Sequence, residues 1–280
     1  MIITYHRPKT LDEALTLLTR HNTIPLGGGT LLSHSTSDSI EVVDLQALGL
    51  DTIKKNGNNL EIGATVTLQQ LLESEHCLNA LKSALKLEAP LNIRNSATAA
   101  GTLVVCDGRS TFASVLLAMD AKLEIRELEI GDSTVQTQIS NLGDFLPLRD
   151  QVRGKLITKI VIPLNVKLAF EYVARTPSDK PIVCVALAQW NSGRTRLAVA
   201  GYGKSPMLAM DGDPHPYPSP SGRGNEGEGA SSADFAQLIL RSAQAAARNA
   251  FHEATDDFAS AEYRIDVAST LAKRCLEGIR

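Results

Sequence analysis

Two stretches of small residues hold the chemistry-bearing potential of this 280-residue chain. The first, Gly27-Gly28-Gly29-Thr30, follows the strand-like segment Ile24-Pro25-Leu26. Three glycines remove every Cβ that would hold an anion off the backbone, so successive N–H groups are free to converge as a nest. Thr30 and Ser33 add hydroxyl donors. By itself GGGT also reads as a tight turn, since it lacks the Lys of a P-loop and the spacing of a GxGxxG fingerprint. The second stretch, Ala97-Thr98-Ala99-Ala100-Gly101-Thr102, has the same character: little bulk, two hydroxyls and close backbone approach. Two such stretches in one domain have the means to grip the two halves of a pyrophosphate; either alone is also consistent with tight packing. Arg94 is a candidate phosphate partner, with a surface ion pair as the plainer alternative. Asp107 and Glu61 read as surface carboxylates, and His215 among prolines has no partner for a metal site.

The elements that position these residues follow from periodicity and caps. Thr10-Leu11-Asp12-Glu13 reads as a capping box, followed by an apolar face of Leu11, Ala14, Leu15, Leu17 and Leu18. Thr67 to Gln70 repeats the pattern ahead of Leu68, Leu71 and Leu72. Residues 78–87 and 111–119 have helical spacing. Residues 2–5, 40–44, 60–64, 122–125, 156–162, 168–174, 182–190 and 195–202 read as strands. Helices are expected over about 233–254 and 261–278. Between them residues 211–232, DGDPHPYPSPSGRGNEGEGASS, hold almost nothing to bury and cannot offset their own ordering entropy, so a disordered insertion is expected. Mixed α/β, then a cluster of strands, then helices indicates an α+β chain.

Composition narrows the function classes. Lys+Arg 28 against Asp+Glu 31 gives a net charge of −3, no footprint for nucleic acid. No apolar run approaches the ~20 residues that span a bilayer, and MIITYHRPKT is no secretory signal. A cytoplasmic protein without membrane insertion is expected. Cys77, Cys106, Cys184 and Cys275 are too scattered for a cluster or structural zinc. They read as buried free thiols, and no metal is expected.

Taken in order, the motifs resemble a family. YHRPKTLDEALTLL, PLGGGTLL (against an AGGTDLL-like loop), LEIGATVTLQQLL, IRNSATAAGTL (against IRNxATxGGNI), LITKIVIP (against LLTEIxIP) and FASAEYRIDVASTLAKRCL are similar to the FAD-binding medium subunit of molybdenum hydroxylases, the xanthine dehydrogenase and carbon monoxide dehydrogenase group. The resemblance implies a p-cresol methylhydroxylase-type FAD-binding domain over 1–165, with subdomains of about 1–54 and 55–165. A small antiparallel sheet-plus-helices domain over 168–280 would follow and carry the insertion. It implies FAD held by Gly27, Gly28, Gly29, Thr30 and Leu31 and by Thr98, Ala99, Ala100, Gly101 and Thr102. Ile62, Gly63, Ala64 and Ile157 would lie near the ring system, and Thr111 at a cofactor contact. Chain-specific departures fall at polar contacts: Leu31 replaces an Asp, Ser or Glu, Thr102 an Asn, Thr111 an Asp and Tyr172 a Lys. Restoring Asn at 102 and Asp at 111 is expected to tighten FAD.

The implied function is electron transfer from [2Fe–2S] clusters on a small subunit, fed by a molybdopterin-containing large subunit, through FAD to NAD⁺, a quinone or oxygen. The redox chemistry would belong to the cofactor, and no catalytic side chain is assigned. Three alternatives stand beside it: a scaffold of the same fold without FAD, a self-sufficient flavin oxidase of the vanillyl-alcohol type, and a regulatory nucleotide-binding module. The oxidase lacks a large substrate domain and a His or Cys context for covalent flavin; composition offers the regulatory module no support.

Overall fold

The computed structural model describes residues 1–32, 39–129, 134–212 and 232–279. The first subdomain holds β1 (Ile2–His6), α1 (Leu11–Leu18), β2 (Thr23–Leu26) and β3 (Ile40–Asp44). They form a parallel sheet of order β1-β3-β2. Helix α1 starts where Thr10 Oγ1 accepts from the Glu13 N–H, and Glu13 reaches back to the N–H of Lys9 instead of that of Thr10. Ala14, Leu15, Leu17 and Leu18 pack with Val43 and Leu45.

The second subdomain begins with β4 (Ile53–Asn56), β5 (Asn59–Gly63), α2 (Leu68–Glu73), α3 (Asn79–Glu88), α4 (Leu91–Arg94) and α5 (Ala99–Val105). It continues with α6 (Thr111–Ala118), β6 (Lys122–Leu128), β7 (Val135–Asn141), α7 (Leu142–Leu148) and β8 (Lys155–Pro163). The five strands make an antiparallel sheet of order β4-β5-β8-β6-β7. Helix α2 carries the full capping box between Thr67 and Gln70. Every residue of α6 is buried, as its apolar circumference demands. Its N-terminus is held by the Glu88 carboxylate, which accepts from Ser110 Oγ at 2.9 Å, Thr111 Oγ1 at 3.1 Å and the Phe112 N–H at 2.9 Å. A carboxylate placed there satisfies orphan donors and meets the positive end of the helix.

The third unit is an antiparallel sheet of β9 (Val166–Val173), β10 (Val183–Trp190), β11 (Thr195–Ala200) and β12 (Met207–Gly212), in the order β12-β11-β10-β9. Helices α8 (Ser232–Asn249) and α9 (Ala261–Gly278) follow. The chain is thus α+β, as its element order implies. Strands β10 and β11 are buried on both faces, and residue size sorts the faces. Val183, Val185, Leu187, Leu197 and Val199 pack with Ala247, Phe251, Leu271 and Ala272 of the helical layer. Ala186, Ala188 and Ala198 turn the other way into the core that holds α6. Two further bonds, Gly108 N–H to Gly203 O at 2.9 Å and Gly201 N–H to Gly108 O at 2.7 Å, tie the units together. The sheet of β9–β12 therefore shares its inner face with the second subdomain.

Several expectations change. Residues 99–102 form the first turn of α5, and α5, β7, α7 and β12 were not foreseen. Asp211 and Gly212, expected in the insertion, end β12; residues 213–231 lie outside the described residues, as does His215. The Asp211 carboxylate takes two bonds of 2.9 Å from Arg194 and one from the buried Arg196. Asp120 takes one bond from Arg194 at 2.9 Å and lies 3.1 Å from Arg196. Among the described residues Arg94 forms no ion pair; its guanidinium donates to Gln69, Lys86 O and Ala89 O instead of standing open for a phosphate. All four cysteines are buried and free, and burial pushes the Cys106 thiol up to about 11 and that of Cys77 to about 12.

Ala186→Leu tests the shared core. A branched side chain between β10 and α6 overpacks both units and costs about 1–3 kcal/mol; calorimetry should show one cooperative transition at a lower temperature. The Asp211 network carries a pH signature. Burial alone would raise this carboxyl, but the Arg194 hydrogen bond and the Arg196 charge outweigh it and hold it below its usual 3.8. Its native-state contribution is therefore complete above pH 3.8 and is lost as pH falls through the lower native value. Asp211→Asn should cost about 1–2 kcal/mol at neutral pH, and chemical denaturation should show that gap closing at acid pH.

Candidate functional site

A cavity of about 500 Å³ opens where the first subdomain meets the second. That volume lies within the range of small-molecule and cofactor sites. Its first wall is the glycine turn at the end of β2, together with Ile24, Pro25 and Leu45. Its second wall is the start of α5, with Thr98, Ala100, Gly101, Thr102 and Val105. Its floor is the five-stranded sheet, reached through Ala64, Ile125, Leu156 and Ile157. Ile125 and Ile157 face each other because of a register shift after Glu124, which pairs Ile125 with Ile157 and leaves Thr158 as the extra residue. The Thr158 hydroxyl then donates to Glu124 Oε1 at 2.8 Å.

The glycines do two different jobs. A Cβ on Gly28 would stand 1.6 Å from Ser96 O and 2.6 Å from Ser96 C, and one on Gly27 would stand 2.8 Å from Thr98 Oγ1. Gly28 thus lies directly on the Ser96–Ala97 backbone, and Gly27 against the Thr98 side chain. Gly29 instead needs its conformation, at φ +70. Among the described residues, the N–H groups of Gly28 and Thr30, on either side of Gly29, have no acceptor. Two open donors flank a left-handed residue, a backbone arrangement in which successive N–H groups can converge.

From Ala99 to Thr102 the second stretch supplies no such donors. The Ala99 N–H donates to Val66 O at 2.8 Å, Ala100 to Ala64 O at 3.3 Å and Thr102 to Thr98 O at 2.9 Å. The Gly101 N–H is capped by Thr98 Oγ1 at 3.2 Å. Thr102 turns its hydroxyl back onto Thr98 O at 2.8 Å. This stretch is a wall that seats the glycine turn.

Of the expected site residues, Gly27, Gly28, Gly29, Thr30, Leu31, Ala64, Thr98, Ala100, Gly101, Thr102 and Ile157 line the cavity. Four do not. Ile62 and Ala99 are wholly buried in the core. Gly63 faces a separate, polar cleft on the other side of the sheet, lined by Glu61, Glu124 and Lys159. Thr111 is also wholly buried; its hydroxyl donates to Ala84 O at 2.7 Å and contacts Glu88, so an Asp there would set a second carboxylate against Glu88 instead of serving a ligand. Tyr172 stacks on Phe170 at 5.9 Å and does not line the cavity. Ser33 lies outside the described residues. The sequence reading missed the turn before β8, which brings Asp150, Arg153 and Lys155 to the cavity. Among the described residues no group of three or more His, Cys, Asp or Glu is placed to hold a metal, and no helix is long and apolar enough to cross a membrane.

Gly28→Ala should damage the protein before any ligand is added. Its methyl has only the Ser96 carbonyl to push against, and a backbone shift there should cost about 3 kcal/mol. Gly29→Ala meets only the left-handed penalty of about 1–2 kcal/mol. Thermal unfolding of both ligand-free variants separates the two roles.

Comparison with known proteins agrees with this architecture. Residues 1–165 match the family model described as the FAD binding domain in molybdopterin dehydrogenase. The chain is 27% identical over 219 residues to the uncharacterized protein YgfM of Escherichia coli K12, spanning 75% of this chain and 79% of that protein. It is 30% identical over 174 residues to xanthine dehydrogenase of Blastobotrys adeninivorans, spanning 52% of this chain but 12% of that protein. Its fold superposes with a TM-score of 0.77 on a chain of reconstituted CO dehydrogenase from Oligotropha carboxidovorans, at 23% identity and covering 99% of this chain and 97% of that one. Quinoline 2-oxidoreductase from Pseudomonas putida 86 gives a TM-score of 0.72 at 19% identity, covering 99% and 96%. The chain belongs, through residues 1–165, to the FAD-binding domain family of molybdopterin dehydrogenases.

Proposed function

We propose that this chain is the FAD-binding electron-transfer subunit of a heteromeric molybdenum hydroxylase, with FAD lying in the cavity between the glycine turn and α5. The observation that carries this reading is the pair of open N–H groups on Gly28 and Thr30 around Gly29, in the wall of a largely apolar cavity inside a domain of an FAD-binding family. Those donors suit a diphosphate. Ile24, Leu45, Ile125 and Ile157 suit a flat ring system and exclude water from it.

FAD, when bound, would take electrons from [2Fe–2S] clusters of a partner subunit and pass them to an external acceptor. The residues of this chain bind and orient the group and set its surroundings. A molybdopterin-containing large subunit and a [2Fe–2S] small subunit are the proposed partners, in the cytoplasm. The scaffold reading, the same assembly without FAD, keeps one specific support: every N–H of the second stretch from Ala99 to Thr102 is already spent.

The two readings separate on a titration of the purified chain with FAD, followed by quenching of flavin fluorescence and by absorbance. Saturable binding of one FAD per chain is expected. No dehydrogenase turnover is expected from the chain alone, and both partner subunits should co-purify with it. A colourless protein that leaves free FAD fluorescence unchanged would establish the scaffold. Substrate-dependent flavin reduction by the isolated chain would overturn the need for partners.

A further inference from the structure

The cavity presents an electrostatic problem that its backbone does not solve. A dinucleotide brings a diphosphate with two negative charges into a site walled by Ile24, Leu45, Ile125 and Ile157. Taking an anion out of water is costly unless charge and hydrogen bonds compensate it. Among the described residues the glycine turn offers open backbone N–H groups, those of Gly28 and Thr30 among them, which bring partial charge alone, and the N–H groups of Ala99, Ala100, Gly101 and Thr102 are consumed internally. The residue after the turn, Leu31, brings no polar side chain.

Two cations line the cavity among the described residues, Arg153 and Lys155. Lys155 is committed: its Nζ lies 2.7 Å from Glu127 Oε2. Arg153 makes no ion pair and no side-chain hydrogen bond among the described residues, although Asp150 lines the same cavity three positions earlier. Its backbone is held in place. The Lys155 N–H closes a turn onto Val152 O at 3.0 Å, and Gly154 at φ +76 turns the chain into β8. Residues 33–38, SHSTSD, contain no Lys or Arg that could take its place.

We infer that Arg153 is the specificity-determining cation of this site, pairing its guanidinium with the diphosphate of the dinucleotide and supplying the charge that the glycine turn lacks. A planar guanidinium suits this task, because it donates two parallel bonds to a phosphate. The inference rests on the proposed cofactor site and adds the residue that selects an anionic ligand there.

The test titrates the ligand-free full chain with FAD at low and at high salt, for wild type, Arg153→Gln and Arg153→Lys. Arg153→Gln should bind roughly tenfold more weakly at low salt, the size of one charge-assisted contact. The gap should shrink at high salt as screening weakens the wild type. Arg153→Lys should recover part of the loss, and ligand-free Arg153→Gln should melt with wild type, since its side chain is exposed and unbonded. A Kd within about twofold of wild type at low salt, or a gap independent of salt, overturns the assignment while leaving the FAD site standing. If wild type binds no FAD at either salt, the proposed function falls and this inference with it.

Discussion

The contact of Gly28 with the Ser96–Ala97 backbone determines where both walls of the cavity stand. It is a backbone-to-backbone contact with no room for a single carbon. Everything behind it is fixed by hydrogen bonds. The 97–100 segment is laced to 64–68 through the Leu68 N–H to Ala97 O and the Ala99 N–H to Val66 O. Ala64 in turn donates to Thr158 O of β8. The turn therefore rests, through two short segments, on the central strands of the five-stranded sheet. A ligand in the cavity would meet one continuous hydrogen-bonded frame, the preorganisation that keeps binding free energy from being lost to ordering loops.

The same economy of size governs the far side of the molecule. Strands β10 and β11 carry branched residues toward α8 and α9 and alanines toward α6. Large side chains on both faces would hold the sheet away from α6, and α6 has no polar face with which to meet water instead. Glu88 makes this position possible. It accepts from the Phe112 N–H and from the Ser110 and Thr111 hydroxyls, and so sets a carboxylate at the buried start of a helix that has no polar face. Thr111 belongs to that cap, which is why a position expected at a cofactor contact faces inward here.

This explains which parts of the architecture could be read from sequence. Amphipathic or capped elements were legible: α1 from its Leu spacing behind Thr10, α2 from the Thr67–Gln70 box, β3 from IEVVD. Elements whose pattern depends on a neighbour were not. Strand β7 lies at a sheet edge and reads as polar VQTQISN. Helix α7 has Pro147 inside it. Strand β12 ends on an Asp that looks like the first residue of a Gly/Pro-rich tract until its two arginine partners, 15 and 17 residues earlier, are in place. At the site, glycine composition located the turn but not the division of labour between packing at Gly28 and left-handed geometry at Gly29. Arg153 was invisible for a related reason. Its significance comes from what does not pair with it in space, and spacing along the chain carries no such information.

The departures at Leu31 and Thr102 look like losses only if side chains are taken as the source of binding. In this structure the donors at the turn belong to the backbone, and no substitution of a side chain removes them so long as the turn keeps its shape. That shape depends on Gly28, Gly29 and the laced 97–100 segment, all of which are intact. Backbone dipoles, however, bring partial charge only; neutralising a diphosphate in an apolar cavity calls for a full one. A site built in this way places its geometric demand on glycines and its electrostatic demand on a cation from a different turn. The residues between them, Leu31 and Thr102 included, are then free to change. Family-pattern residues at those two positions are thus a poor guide to whether the cavity holds an anion, and the hydrogen-bond state of the Gly28 and Thr30 N–H groups is a better one.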